Sequence, residues 1–305
     1  MIKLKKLVSM FIPNKLAQKS INDKTNEVQT CDDNSTKPAD KPSFEQLVFL
    51  YIDGEEASFP ISFTHKDEYF KKGRTVYELV GIENHIKEIK IMNTLDCGGQ
   101  TEINIEDDKV EIIISIAASN LGIGSGGRVS EYTIQLCEKF ADVLAHELFH
   151  AENNIDIIGY VGIEEYKSIR YSKDIWFKLA RIMFDEYCAC RKNAEKFNSF
   201  ESVESERKIE YIFNYLQDVY IDSDLLYSVR ELFYAIATLS AFADVSTEKE
   251  ILILEKLKRS KKLFQEVRNV FNCFYLESPL NYKKYNNMAC KLEQIYDSHG
   301  LHKLD

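Results

Sequence analysis

The spacing of apolar residues changes once along this chain of 305 residues, and this change limits the fold class more than any other feature. Thr101–Ile105 alternates apolar and polar residues, and a turn separates it from the β-branched run Val110–Ile116, which predicts a β-hairpin. Ile86–Met92 predicts another strand, so a small, mostly antiparallel sheet is expected. After Gly127 the apolar residues recur at helical spacing. Strands followed by helices indicate an α+β fold.

Composition divides the chain into three parts. Residues 1–43 are mostly polar, include Pro38 and Pro42, and predict a flexible leader or linker. Residues 44–200 are predicted to form the domain that contains the sheet, and residues 201–305 a helical C-terminal region. After the first long helix, further helices are predicted at Ile175–Phe197, Ile209–Val219, Leu225–Phe242, Lys249–Phe274 and Tyr282–Tyr296.

Charge and cysteine usage narrow the classes of partner and compartment. A formal net charge of -10 disfavours a nucleic-acid partner, and no run approaches about 18 apolar residues, so no membrane span is expected. Seven cysteines at irregular spacing predict reduced thiols in the cytoplasm. The basic, briefly apolar start of the chain leaves export as the alternative. Cys188 and Cys190 are the one close cysteine pair, a weak indication of a metal site.

The motif H-E-x-x-H occurs at His146-Glu147-Leu148-Phe149-His150, within a helix for which Ser130 is the predicted N-cap. Residues four apart are separated by about 6 Å of rise and about 40° of rotation, so both imidazoles project toward one ion. Glu147 lies about 100° round the helix from His146, within reach of a metal-bound water. The motif therefore predicts a Zn²⁺-dependent hydrolase in which Glu147 is the general base.

A catalytic zinc ion usually has three protein ligands, and the spacing leaves the third one open. Glu186 lies on a second predicted helix that can return beside the first. Asp156 is the alternative, because His146-x3-His150-x5-Asp156 has the span of the metzincin pattern. Asp142, one turn before His146, is a candidate to orient its ring. Other carboxylates that could serve as the third ligand are Glu152, Glu164, Glu165 and Asp185.

His146-Glu147-Leu148-Phe149-His150 followed by Glu186-Tyr187-Cys188-Ala189 resembles the gluzincin arrangement, H-E-x-x-H then E-x-x-A, of zincin metallopeptidases. Over residues 100–200 the chain is similar to the bacterial ImmA/IrrE-type metallopeptidases. This resemblance implies a zincin-like fold, a zinc ion held by His146, His150 and Glu186, and proteolysis of an intracellular protein. The expected partner is therefore a peptide or protein substrate.

The sequence also offers a docking strand and an oxyanion donor for such a reaction. The strand Val110–Ile116 is predicted to lie at the sheet edge, where an extended peptide could add by backbone hydrogen bonds. A second donor to the developing oxyanion is expected from one of four tyrosines, Tyr160, Tyr166, Tyr171 or Tyr187.

Two other functions compete with hydrolysis. The segment from Gly122 to Gly127 matches G-x-G-x-x-G, but no second parallel strand with an acidic end follows it, so a dinucleotide site is disfavoured and a loop beside the cleft is expected. The stronger alternative is a non-enzymatic helical interaction module with a structural or degenerate metal site.

Overall fold

A computed structural model describes residues 42–301 except positions 108, 125–126, 132, 198–203 and 219–224. Residues 1–41 of the predicted leader therefore lie outside the described residues. The protein has the expected α+β composition, with a five-stranded mixed sheet and a mostly helical C-terminal half. The strands are β1 (Val48–Ile52), β2 (Glu55–Ala57), β3 (Ile86–Met92), β4 (Gly99–Glu106) and β5 (Lys109–Ala117).

The described helices follow in part the ranges predicted from the sequence. They are α1 (Phe44–Leu47), α2 (Lys66–Val80), α3 (Ile134–Val161), α4 (Ile163–Arg170), α5 (Ile175–Phe197), α6 (Glu204–Asp218), α7 (Leu225–Val245), α8 (Thr247–Lys256), α9 (Lys261–Tyr275) and α10 (Tyr282–Ser298). Short 3-10 segments occur at Glu83–His85 and Ala118–Leu121. The predicted helix Lys249–Phe274 is wrong as one unit, because it is divided between α8 and α9.

The sheet has the order β2-β1-β3-β5-β4. β4 and β5 form the predicted hairpin, but the expectation of a mostly antiparallel sheet is wrong, because β1 pairs with β3 and β3 with β5 in parallel. Helix α2 lies between β1 and β3 in the chain and provides the long connection that parallel strands need. β5 is paired on both sides, so its predicted edge position is also wrong, and β4 is an edge strand.

Two hydrophobic cores lie on either side of the long helix α3. The sheet, α1, α2 and the first part of α3 enclose the first core, in which Ile89, Ile114 and Leu148 are fully buried. Helices α4 to α10 enclose the second core, together with Ile157 near the end of α3. The central part of α3, which carries the motif, therefore lies where the two cores meet.

The N-cap of helix α3 lies three residues after the predicted one. Thr133, not Ser130, is the N-cap, and its side chain accepts a hydrogen bond from the backbone N–H of Leu136. Of the apolar residues that recur at helical spacing in α3, Cys137, Leu144, Leu148 and Ala151 are buried, whereas Ile134 in the first turn is exposed.

Helix α7 is long and apolar enough to satisfy the length and composition expected of a membrane span. Its most apolar 18-residue window is 61% buried within the fold. The apolar residues of α7 pack in the second core, as those of a buried helix in a globular domain do.

Candidate metal centre

Helices α3 and α5 pack side by side and carry the candidate site between them. Their contacts pair later residues of α3 with earlier residues of α5, so the helices run antiparallel. The pairs are Asp142 with Asn193, His146 with Cys190, and His150 with Glu186. This is the arrangement expected for Glu186 on a helix that returns beside the motif.

The structure brings together the side chains of His146, His150 and Glu186. The Nε2 atoms of the two histidines are 3.0 Å apart. Glu186 places one carboxylate oxygen 3.6 Å from His146 Nε2 and the other 3.3 Å from His150 Nε2. Ligands at zinc bond lengths of about 2.0–2.1 Å in a tetrahedron are about 3.3–3.4 Å from one another. Two imidazoles and a carboxylate at these separations could hold a metal ion.

The pKa values of the same three residues indicate strong charge interactions between the two histidines and the neighbouring carboxylates. Burial lowers the pKa of His150, but the carboxylates of Asp185 and Glu186 outweigh it and hold that pKa well above its ordinary value. Burial raises the pKa of Glu186, whereas the neighbouring histidines hold it well below its ordinary value. The pKa of His146 is raised by Glu186 despite burial. Protons and a metal cation therefore compete for the same nitrogen atoms.

Each histidine ring has a partner on its other nitrogen. His150 Nδ1 lies 3.0 Å from Asp185 Oδ2, and Asn153 donates to the second oxygen of Asp185 at 3.3 Å. A carboxylate in this position fixes the orientation of a metal-binding imidazole. Asp185, one of the alternative third ligands, therefore lies behind His150 and not beside its Nε2 atom. His146 Nδ1 faces Cys190 Sγ at 3.9 Å.

Asp142 does not take the orienting position that the sequence suggested. Its carboxylate accepts a hydrogen bond from Asn193 Nδ2 at 3.0 Å, and it lines the cleft one turn before His146. Asp185, and not Asp142, is the carboxylate that contacts a histidine ring, and it contacts Nδ1 of His150. The Nδ1 atom of His146 faces Cys190 instead.

Glu147 lines the same cleft as His146 and Glu186 and is 5% exposed. The Thr101 hydroxyl on β4 lies 2.8 Å from Glu147 Oε2 and 2.9 Å from the Glu147 backbone oxygen. Gly99 is so close that a Cβ atom added to it would lie 2.6 Å from Glu147 Oε1. The carboxylate is therefore held between the edge strand and the motif helix.

A cleft of about 270 Å³ opens over these residues. His146, Glu147 and Glu186 line it from one side, and helix α7 lines it from another. The contributions of α7 were not foreseen from the sequence; they are Tyr234, Ala235, Thr238 and Phe242. These residues have the spacing of any buried helix face, so no local sequence pattern distinguishes them from ordinary core residues.

The other candidate ligands lie elsewhere. Asp156 is 3.7 Å from Lys192 Nζ, which also binds Glu152 at 2.8 Å. Asp156 lines a separate cavity of about 200 Å³. On α4, Glu164 pairs with Lys167, and Glu165 accepts a hydrogen bond from the backbone of Tyr282. None of these four carboxylates is among the described residues that line the cleft.

The four tyrosines considered as oxyanion donors also lie away from the cleft. Tyr160 and Tyr171 are exposed, the Tyr166 hydroxyl donates to Asn154, and the Tyr187 hydroxyl donates to Asp244. Tyr234 is the tyrosine that lines the cleft. Burial and the neighbouring Glu186 carboxylate raise the pKa of its hydroxyl, so Tyr234 carries its proton at neutral pH.

Of the two weaker motifs, the glycine-rich segment and the close cysteine pair, Cys190 is the one described residue that lines the cleft. Residues 125–126 of the glycine-rich segment lie outside the described residues, and its described part forms a bridge between Ile123 and Val129. None of these described residues lines the cleft. Cys188 and Cys190 face different cavities, so they do not act as a pair.

Comparison with known proteins adds no assignment: no family model, curated protein or solved structure matches the chain.

Proposed function

We propose that this protein is a zinc-dependent metallopeptidase of the zincin type, with His146, His150 and Glu186 as metal ligands and Glu147 as general base. The observation that carries the proposal is the convergence of the two Nε2 atoms and the Glu186 carboxylate at 3.0, 3.3 and 3.6 Å. The buried carboxylate of Glu147 beside them supplies the base that hydrolysis needs.

The side chains around the cleft suggest how each step would be assisted. A zinc ion held there would lower the pKa of a water molecule to about 7 and polarise the substrate carbonyl. Glu147 takes the proton as water attacks the carbonyl carbon and then delivers it to the leaving amine. The Tyr234 hydroxyl donates a hydrogen bond to the oxygen on which negative charge develops. These roles use one acid–base group and one neutral donor, both on the cleft wall.

A peptide substrate is favoured by the position of β4. Among the described strands, β4 pairs with β5 alone, so its second edge has no strand partner. Its first residue, Gly99, and the preceding Gly98 line the cleft. An extended peptide that pairs with this edge would pass directly over the motif helix. β4 therefore replaces β5 as the proposed docking strand.

We further propose a cytoplasmic location and an intracellular protein substrate. Among the described residues, Cys97, Cys188, Cys273 and Cys290 are free cysteines. Free thiols are usual in a reducing compartment.

Zinc content and peptide cleavage test the proposal together. Zinc-loaded protein would be incubated with a proteome-derived peptide library, and products would be identified by mass spectrometry. We expect Glu147→Gln to retain zinc and lose cleavage, because the metal ligands stay in place while the base is removed. His150→Ala should lose both. Glu152→Gln, on the same helix but outside the cleft, is the matched control. Undiminished cleavage by Glu147→Gln would refute the mechanism.

A structural metal site in a helical interaction module is the second candidate. It is favoured by Cys190, whose sulfur joins His146 and Glu186 in a group of potential ligand atoms within 4.8 Å of one another. A Cys190 ligand would close the position that a catalytic site keeps open. Loss of zinc in Cys190→Ala, and a sulfur-to-metal charge-transfer band in the cobalt-substituted protein, would favour this candidate.

A further inference from the structure

The general base is held by a strand that contains no metal ligand. Thr101 on β4 lies opposite Ile114 of β5 in the antiparallel ladder, so its backbone position is fixed by the sheet. From there its hydroxyl lies 2.8 Å from Glu147 Oε2. The hydroxyl donates a hydrogen bond to this carboxylate oxygen and shares its proton with the Glu147 backbone oxygen, which lies 2.9 Å away. The bond leaves the other carboxylate oxygen, Oε1, to exchange protons.

The residues before Thr101 restrict the same side chain from a second direction. Gly99 packs against Glu147 so closely that an added Cβ atom would lie 2.6 Å from both Cγ and Oε1. The backbone oxygen of Gly98 accepts hydrogen bonds from the Asn120 side chain at 2.8 Å and the Ala117 N–H at 3.0 Å. Asn120 is 2% exposed, so this support is internal to the fold. Glu147 therefore has little freedom to rotate away.

We infer that Thr101 and Gly99 are positioning residues that hold the Glu147 carboxylate in one orientation for proton transfer. This inference rests on the proposed hydrolytic function. It accounts for the glycine at position 99, where any side chain would displace the base, and for the part-buried hydroxyl at position 101 of the strand. No described hydrogen bond joins either residue to the candidate metal ligands, so substitutions at both positions should affect the base without affecting the metal.

The test compares Thr101→Val, which keeps the shape and removes the donor, with Thr101→Ser, which keeps the donor. For a peptide that the wild type cleaves, we expect Thr101→Val to lower kcat by about tenfold to a hundredfold. KM and zinc content should stay unchanged. Thr101→Ser should restore most of kcat, which a purely structural role would not predict. Thr75→Val is the control for the threonine-to-valine substitution, because Thr75 is an exposed threonine on helix α2.

Crystal structures of the zinc-soaked variants provide a readout that does not depend on turnover. In Thr101→Val the Glu147 carboxylate should leave its wild-type position, and in Gly99→Ala it should be displaced by the new methyl group. Thr101→Ser should retain the wild-type orientation. An unmoved carboxylate in Thr101→Val, or wild-type kcat in that variant, would overturn the inference. If wild-type protein cleaves no peptide, the proposed function fails, and the crystal structures alone decide whether Thr101 positions Glu147.

Discussion

At the scale of single residues, the contact between His150 and Asp185 has a measurable consequence in the metal-free protein. Asp185 and Glu186 raise the pKa of His150, so its imidazole should titrate above the ordinary value of about 6.5. Asp185→Asn should lower that titration midpoint, because a negative charge beside the ring is removed. Histidine ring resonances followed by NMR against pH would show both effects. Glu195→Gln, an exposed carboxylate on the same helix, is the control.

The sign of the same shift fixes how metal-free stability changes with pH. A pKa raised on folding stabilises the folded state at low pH, and that contribution is lost as pH rises through the folded pKa. The neutral imidazole that remains above it is the form that binds zinc. Zinc should therefore stabilise the protein most on the alkaline side of this titration. A midpoint for His150 at or below that of an ordinary histidine would contradict the argument.

The candidate metal ligands could be predicted from helical spacing. The residues that only tertiary packing brings to the cleft or to Glu147 could not. His146 and His150 follow from one helical turn, and Glu186 from a second helix with a suitable carboxylate. Tyr234 reaches the cleft from a helix about 90 residues away in the chain, which no local pattern could indicate. Thr101 lies in the predicted hairpin, but its contact with Glu147 depends on how the sheet packs against α3.

At the scale of helices and strands, the contact of α2 with α1 and α3 depends on one glycine. A Cβ atom on Gly73 would lie 2.5 Å from Phe44 Cζ and 3.1 Å from Phe140 Cε1. We expect Gly73→Ala to lower the free energy of unfolding by about 1–3 kcal/mol, because the buried rings must shift. Chemical denaturation followed by circular dichroism measures the change.

Gly159→Ala is the matched control for that experiment, since Gly159 is also helical and nothing lies within 4 Å of its added Cβ atom. It should raise stability by about 0.5–1 kcal/mol through the loss of unfolded-state freedom. Equal effects of the two substitutions would show that helix propensity, and not the contact with Phe44, determines the result at position 73.

Two helical features show where periodicity is and is not sufficient. Helix α2 was not predicted, although its buried residues Tyr69, Phe70, Gly73, Val76, Tyr77 and Val80 have helical spacing. The break between α8 and α9, in contrast, is not indicated by the spacing of apolar residues. There the Glu210 carboxylate of α6 accepts hydrogen bonds from the backbone of Lys258 and Ser260 and from the Ser260 hydroxyl. A partner about 50 residues earlier thus ends one helix and starts the next.

At the scale of the whole molecule, the predicted boundary at residue 200 falls between parts that pack together. Helix α5 carries Glu186, and its buried residues Phe177, Met183 and Tyr187 belong to the core formed with the C-terminal helices. The Tyr187 hydroxyl bonds Asp244 of α7, which also pairs with Arg268 of α9 at 2.7 Å. The β4–β5 hairpin and strand β3 could be predicted from the apolar pattern, but this sharing of α5 could not.

A fragment of residues 42–200 should therefore fail to fold. Removal of α7, α9 and α10 would expose the apolar face of α5, and Asp244 would no longer accept from Tyr187. We expect the fragment to lack the dispersed amide resonances and the cooperative thermal transition of the 42–305 chain, and to bind no stoichiometric zinc. A folded, zinc-binding fragment would show instead that the first 200 residues are an independent domain.

The division of α3 between two cores also bears on when the proposed activity can arise in a cell. The ribosome releases α3 and α5 before α7, α9 and α10, yet those later helices enclose the core in which Phe177, Met183 and Tyr187 of α5 are buried. The half-made chain thus holds the motif without a completed cleft. A cleft built this way is complete only after α7, α9 and α10 have been synthesised, so the proposed activity would arise later than the motif itself.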